Sequence, residues 1–220
     1  MGVDFNTVLA SEEIRTYISQ ADASLTAIGY TEHSFPHVVK CAEVSASLLR
    51  QLDYDERQIE LAKIAGYMHD IGNVINRDDH AQSGAIMAFH ILDKMGLPPE
   101  DIAVVITAIG NHDEHTAFPV NAVAAALILA DKTDVRRSRV RNRDTIHLDI
   151  HDRVNYAVTE STLRLNQEDG TLTLELTIDT HICAVIDYFE IFLSRMQLCR
   201  KAAEFFSLKF CMVVNGSVLL

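Results

Sequence analysis

The chain has 220 residues, 48% of them hydrophobic and 23% charged, with 31 Asp and Glu against 19 Lys and Arg for a net charge of -12. That balance is ordinary for a globular chain and excludes a general nucleic-acid binder, which needs a basic surface to meet phosphate backbones. No apolar run approaches the roughly 20 residues of a membrane span, and the opening MGVDFNTVLASEE shows neither a basic nor an apolar leader region. Cys41, Cys183, Cys199 and Cys211 form no CxxC pair and read as reduced packing residues of a cytoplasmic protein.

The first predicted element is an amphipathic helix over residues 9–28, with Ile14, Ile18, Leu25 and Ile28 on its apolar side. A second helix starts near Pro36 and runs to about Leu52. His37, Cys41, Val44 and Leu48 follow the spacing of one face, so His37 points inward. A third helix is expected over residues 56–70, ending in His69-Asp70, where Gly72 breaks it. A polar loop then leads to His80, and a helix follows from about Gln82 to Met95, with Ala85, Ala88, Phe89 and Leu92 inward. Pro98-Pro99 opens the next helix, whose buried face is Ile102, Val105, Ile106 and Ile109, with His112 on its edge. A helix led by Pro119 is expected to carry Val120, Val123, Ala124, Leu127 and Ile128 inward, then Asp131, and to continue through a basic stretch to Arg143. A carboxylate on such a stripe is costly unless it is paired or binds a cation.

The period then changes. Leu163 and Leu165, a turn at Asp169-Gly170, and the alternation of Leu172, Leu174, Leu176 and Ile178 predict a hairpin. A long helix from about Ile182 to Phe206, a strand over Leu208 to Val214, a turn at Asn215-Gly216 and a very short last strand complete an antiparallel sheet covered by one helix. The expected organisation is a mainly α domain at 1–145 and a small α+β module at 146–220 that serves dimerisation.

Five predicted helical segments each place a metal-binding side chain near one end: His37, His69 with Asp70, His80, His112 and Asp131. Such groups can converge inside a helical bundle. A His-rich set with two carboxylates suits Fe, Mn, Zn or Ni better than Ca or Mg. Six ligands exceed what one catalytic ion takes, and are enough for two divalent transition-metal ions sharing an aspartate. His33 is a candidate contact near His37, and His115 a candidate acid or substrate contact. His147 and His151 have a zinc-like i, i+4 spacing but lie in a polar break beside Asp149 and Asp152, so a solvated segment is the better reading. His90 and His181 read as surface or capping residues.

The order His37, His69-Asp70, Asp131 resembles the HD superfamily of metal-dependent phosphohydrolases over roughly residues 33–140. His80 followed by Gly84-Ala85, then Ala108-Ile109-Gly110-Asn111-His112 and Leu129-Ala130-Asp131-Lys132, is similar to the bacterial HD hydrolases that split diadenosine tetraphosphate symmetrically. The resemblance implies an HD-domain helical bundle and two metal ions. His37, His69, Asp70 and Asp131 would hold one ion, and Asp70, His80 and His112 the second, with Asp70 bridging. Asp113-Glu114-His115-Thr116 matches no one subfamily. Asn111 stands where the cyclic-dinucleotide phosphodiesterases carry a histidine, and the C-terminal module is foreign to those hydrolases.

Six of the 19 basic residues fall between Lys132 and Arg143. On a continuous helix Lys132, Arg136, Arg139 and Arg143 would share one face and clamp a polyphosphate. The expected function is hydrolysis of a phosphoester or phosphoanhydride, in a nucleotide, by a metal-activated hydroxide, with Asp70 and Lys132 catalytic. The rival expectation is a non-catalytic metal- and nucleotide-binding sensor or assembly subunit. In either case the partners are a small phosphorylated molecule and a second copy in a homodimer.

Overall fold

The computed structural model describes residues 2–141, 146 and 149–219. The chain forms two compact units, Met1–Asp131 and Lys132–Leu220, so the boundary expected at 145 falls inside the second.

The first unit is helical: α1 Phe5–Ala10, α2 Glu12–Ala27, α3 Phe35–Gln51, α4 Glu56–Met68, α5 His80–Met95, α6 Pro99–Gly110 and α7 Ala122–Lys132, whose last residue belongs to the second unit. The single helix expected over 9–28 is broken at Ser11. Its backbone is extended and its side chain accepts from Ile14 N, so it caps α2. Asp4 caps α1 through Thr7 N, and each such cap is worth ~1 kcal/mol. The third helix stops at Met68 rather than 70, and a 3-10 turn follows at Ile71–Val74. The fourth begins at His80, which is therefore its first helical residue rather than part of the preceding loop. Its buried stripe is Ala81, Gly84, Ala88, Ile91 and Leu92, leaving Phe89 42% exposed where an inward position was expected.

Close backbone approach sets the geometry around the third helix. α3 packs on α4, α5 on α6, and the 3-10 turn lies against α2 and α5. At Gly66 an added Cβ would lie 2.7 Å from the Ala42 backbone, so α3 and α4 meet nearly backbone to backbone. At Gly72 it would overlap the His80 carbonyl and lie 2.5 Å from Gly84 N. Glycine there serves contact: it lets the turn after His69-Asp70 press on the first turn of α5 and brings His80 to it. α7 is buried all round from Val123 to Ala130, where a single inward stripe was expected, and Val120, expected inward, precedes it and is 48% exposed; Asn121 caps the helix through Ala124 N.

The basic row expected to continue α7 does not form. The helix ends at Lys132, and Arg137–Arg139 makes a separate 3-10 turn. Buried Asp134 explains the break: its Oδ1 accepts from Arg136 Nε at 2.9 Å and its carbonyl from Arg139 Nη1 at 2.8 Å. Arg137 turns away, donating to Tyr156 O at 2.7 Å. Arg143 and His147 lie outside the described residues.

The second unit continues with α8 Ile150–Ala157, β1 Val158–Asn166, β2 Thr171–Ile178, α9 Val185–Phe205, β3 Lys209–Val214 and β4 Ser217–Val218. The sheet order is β1-β2-β3-β4. β1–β2 and β3–β4 are antiparallel, but β2 and β3 run parallel, which corrects the all-antiparallel expectation. The reason is α9: its 21 residues carry the chain back roughly 30 Å to the start of the sheet, as a parallel crossover must. Leu172, Leu174, Leu176 and Ile178 face inward, in register with Phe210, Met212 and Val214. α8 begins at Ile150, so exposed His151 lies on a helix rather than in a chain break. Among the described residues no helix is long and apolar enough to cross a membrane.

Candidate metal centre

The predicted ligands are brought together in the first unit, each at a helix terminus. His37 is in the first turn of α3, His69 follows α4, and Asp70 opens the 3-10 turn. His80 starts α5, His112 follows α6, and Asp131 is the penultimate residue of α7. All four histidines are at most 2% exposed and Asp70 is 5% exposed.

Three of the histidines are oriented by one device. Nδ1 of His69 is 2.9 Å from Gly66 O, that of His80 3.0 Å from Arg77 O, and that of His112 2.6 Å from Ile109 O. Each partner is the carbonyl three residues back. A carbonyl only accepts, so each Nδ1 carries the proton and each Nε2 of the neutral ring presents a lone pair. Those lone pairs point at one another and at carboxylates. His80 and His112 Nε2 are 3.2 Å apart. His69 Nε2 is 3.4 Å from Asp70 Oδ2, and neither atom has a hydrogen-bond partner although both are buried. A buried acceptor without a donor costs ~1–3 kcal/mol, which a cation between the acceptors removes.

Asp70 divides the cluster in two. Its Oδ2 faces His37 Nε2 at 3.6 Å and His69, while its Oδ1 faces His80 at 3.6 Å and His112 at 3.8 Å. Asp131 Oδ1 completes the first half, 3.4 Å from His37 and 3.9 Å from His69. Ligand atoms about 2.1 Å from a shared ion stand about 3.0–3.4 Å apart; the observed spacings are that size or slightly larger. The nitrogen-rich donor set fits a transition-metal ion.

The charges agree. Burial opposes ionisation of Asp70, but the surrounding imidazoles outweigh it and hold its carboxyl well below the usual range. Burial likewise opposes protonation of His69, but Asp70 and then Asp131 outweigh it and raise its pKa. At His80 burial and the neighbouring His112 prevail, pushing the imidazole down to about 4. The centre thus holds an ionised Asp70 and a neutral His80.

Three participants escaped the sequence reading. Cys41, expected only to pack, has Sγ 3.7 Å from His37 Nδ1 and groups with His37, His69 and Asp131 as donors within 4.8 Å. Its only sequence signal was the i, i+4 step from His37. Asn73 donates to Asp70 Oδ1 and to Asp70 O, at 3.0 Å each. Arg77 Nη1 is 3.3 Å from Asn73 Oδ1 and 3.4 Å from His80 Nε2, and its guanidinium lies over the Tyr30 ring at 5.3 Å. His33 packs edge-on to His37 at 5.5 Å. His115 is exposed in the turn after His112, and Lys132 is buried at the end of α7.

The HD domain family model matches residues 35–191, more than half of the chain. The chain belongs to the HD domain family. It is therefore, broadly, a metal-dependent phosphohydrolase, with a buried His/Asp cluster able to hold metal. A solved structure of a predicted HD superfamily hydrolase from an uncultured Thermotogales bacterium is 25% identical, covering 56% of this chain and 67% of its own with a TM-score of 0.45; a score that low adds nothing to the assignment. No curated protein matches the chain. The comparisons reach the HD family, not its diadenosine tetraphosphate branch.

Proposed function

We propose that this HD protein hydrolyses a phosphoester or phosphoanhydride bond in a nucleotide, using two divalent transition-metal ions, of Fe, Mn, Zn or Ni. His37, His69, Asp70 and Asp131 would hold one ion, and Asp70, His80 and His112 the other. The observation that supports this best is Asp70, whose two carboxylate oxygens face two different histidine pairs. When bound, the ions supply Lewis acidity and an activated water at neutral pH.

The protein's own groups do the rest. Three carbonyls fix the imidazole tautomers, and Asn73 fixes the Asp70 rotamer. Arg77 shares its Nη1 donor with His80 Nε2. With His80 holding an ion, the Arg77 guanidinium beside it would be a donor for phosphoryl oxygens. Lys132, one residue past Asp131, is the second proposed cation. In the reaction the water oxygen bonds to phosphorus, the phosphorus bond to the leaving oxygen breaks, and that oxygen takes the proton. Four free cysteines are compatible with work in the reducing cytoplasm.

The test is a panel of nucleotides, dinucleoside polyphosphates and simple phosphoesters with protein loaded with Mn or Fe. Release of phosphate or nucleoside phosphates is expected, lost by about a thousandfold in Asp70→Asn. Metal-loaded protein that binds nucleotide but releases nothing would replace this reading with the sensor.

A further inference from the structure

β1 is one edge of the sheet, and Ser161 on it donates to Thr133 O at 2.6 Å. The strand is nine residues long. Its only irregularity, between Val158 and Glu160, lies at its start, so residues 160–166 pair with β2 without a bulge, and none is proline or lysine. The other edge, β4, has two residues and offers little to pair with.

The two faces of β1 differ. Ser161, Leu163 and Leu165 stand opposite Leu176, Leu174 and Leu172, which are buried. Leu163 and Leu165 are only half-buried, because the apolar layer stops at this strand. On the other face Glu160, Thr162 and Arg164 follow one another, and both charged residues are exposed.

We propose that a second copy of this chain adds its own β1 antiparallel to this edge, joining two four-stranded sheets into one. A twofold pairing keeps both apolar faces on the same side only when it is centred on a residue, since a slip of one residue turns the added strand over. Centring on Glu160 or on Arg164 sets like charges opposite each other. Centring on Thr162 sets Glu160 opposite Arg164 of the second copy, and the symmetry repeats the pair. That register sets Leu163 opposite Ser161 of the second copy on the inner face and uses the edge N–H and C=O groups. Arg164 already bonds Glu175 within its own sheet at 2.7 Å, which holds its guanidinium on the face where the pair forms.

The experiment is the mass of the full chain in solution across concentration, for wild type, Glu160→Arg, Arg164→Glu and an equimolar mixture of the two variants. Each variant alone sets two like-charge pairs across the twofold and is expected to weaken the dimer about tenfold or more. In the mixture every pair is again opposite in sign, so a heterodimer of near wild-type affinity is expected. Circular dichroism confirms that each variant is folded. A monomeric wild type, or a dimer indifferent to both substitutions and to mixing, overturns the proposal.

Discussion

The two units bury charge in opposite ways. In Met1–Asp131 the buried polar side chains converge as acceptors on acceptors: imidazole nitrogen on imidazole nitrogen at 3.2 Å, and His69 Nε2 on Asp70 Oδ2 at 3.4 Å without a donor. In Lys132–Leu220 the buried carboxylate of Asp134 faces cations of its own unit, Arg136 and Arg139. A buried charge that finds its partner inside the protein holds the fold together. A pair of buried acceptors left facing each other without a donor marks a place for something the protein must bind. Arg136 and Arg139, which looked functional in the sequence, thus take a structural partner, while an unremarked arginine, Arg77, reaches His80.

The contrast can be broken most forcefully at Arg139. Arg139→Ala leaves Asp134 buried with one cation fewer, and losing one partner of a buried pair costs about 3–5 kcal/mol. The expected outcome is a large fall in the unfolding midpoint, followed by circular dichroism, with unchanged turnover of a small phosphoester per folded molecule. Loss of turnover without loss of stability would return Arg139 to the site.

The next effect is on pH. The His80 imidazole titrates at about 4 when folded and the pKa starts from 6.5 when free, so the unfolded chain binds the proton first. The neutral ring's contribution is complete above 6.5 and is lost as pH falls towards 4, by up to about 3 kcal/mol. His69 has the opposite sign, because its raised folded pKa favours the fold at lower pH. The comparison is therefore with His80→Asn: denaturant unfolding of metal-free protein is expected to show a flatter acid slope in the variant over that window. Identical slopes would mean that His80 is not held neutral.

Smallest is Arg77→Ala. Removing a donor that reaches phosphoryl oxygens is expected to cost about ten- to a hundredfold in kcat/KM on nucleotides, with metal content intact. A fall in bound metal of the same size would make Arg77 a support for His80 instead.

Much of the first unit was legible because its ligands end apolar stripes: a histidine or aspartate one step past a buried face has few other reasons to be there. The end of α7 was not legible. Thr133-Asp134-Val135 contains no glycine or proline, and the helix stops because Asp134 gathers two arginines, a tertiary event. The parallel pairing of β2 and β3 was hidden for a related reason. Alternation marks a strand but not its neighbour; the long helix was legible, but not that it returns the chain to lay β3 beside β2. Cys41 and Asn73 looked like packing and loop residues because their roles depend on which helix ends meet.

The central claim is that Asp70 joins two ion sites. Elemental analysis of anaerobically purified protein tests it most directly. The account predicts about two transition-metal ions per chain, about one in His80→Ala, and still fewer in Asp70→Ala. A single ion that His80→Ala leaves in place, or protein that takes up no transition metal at all, would contradict it.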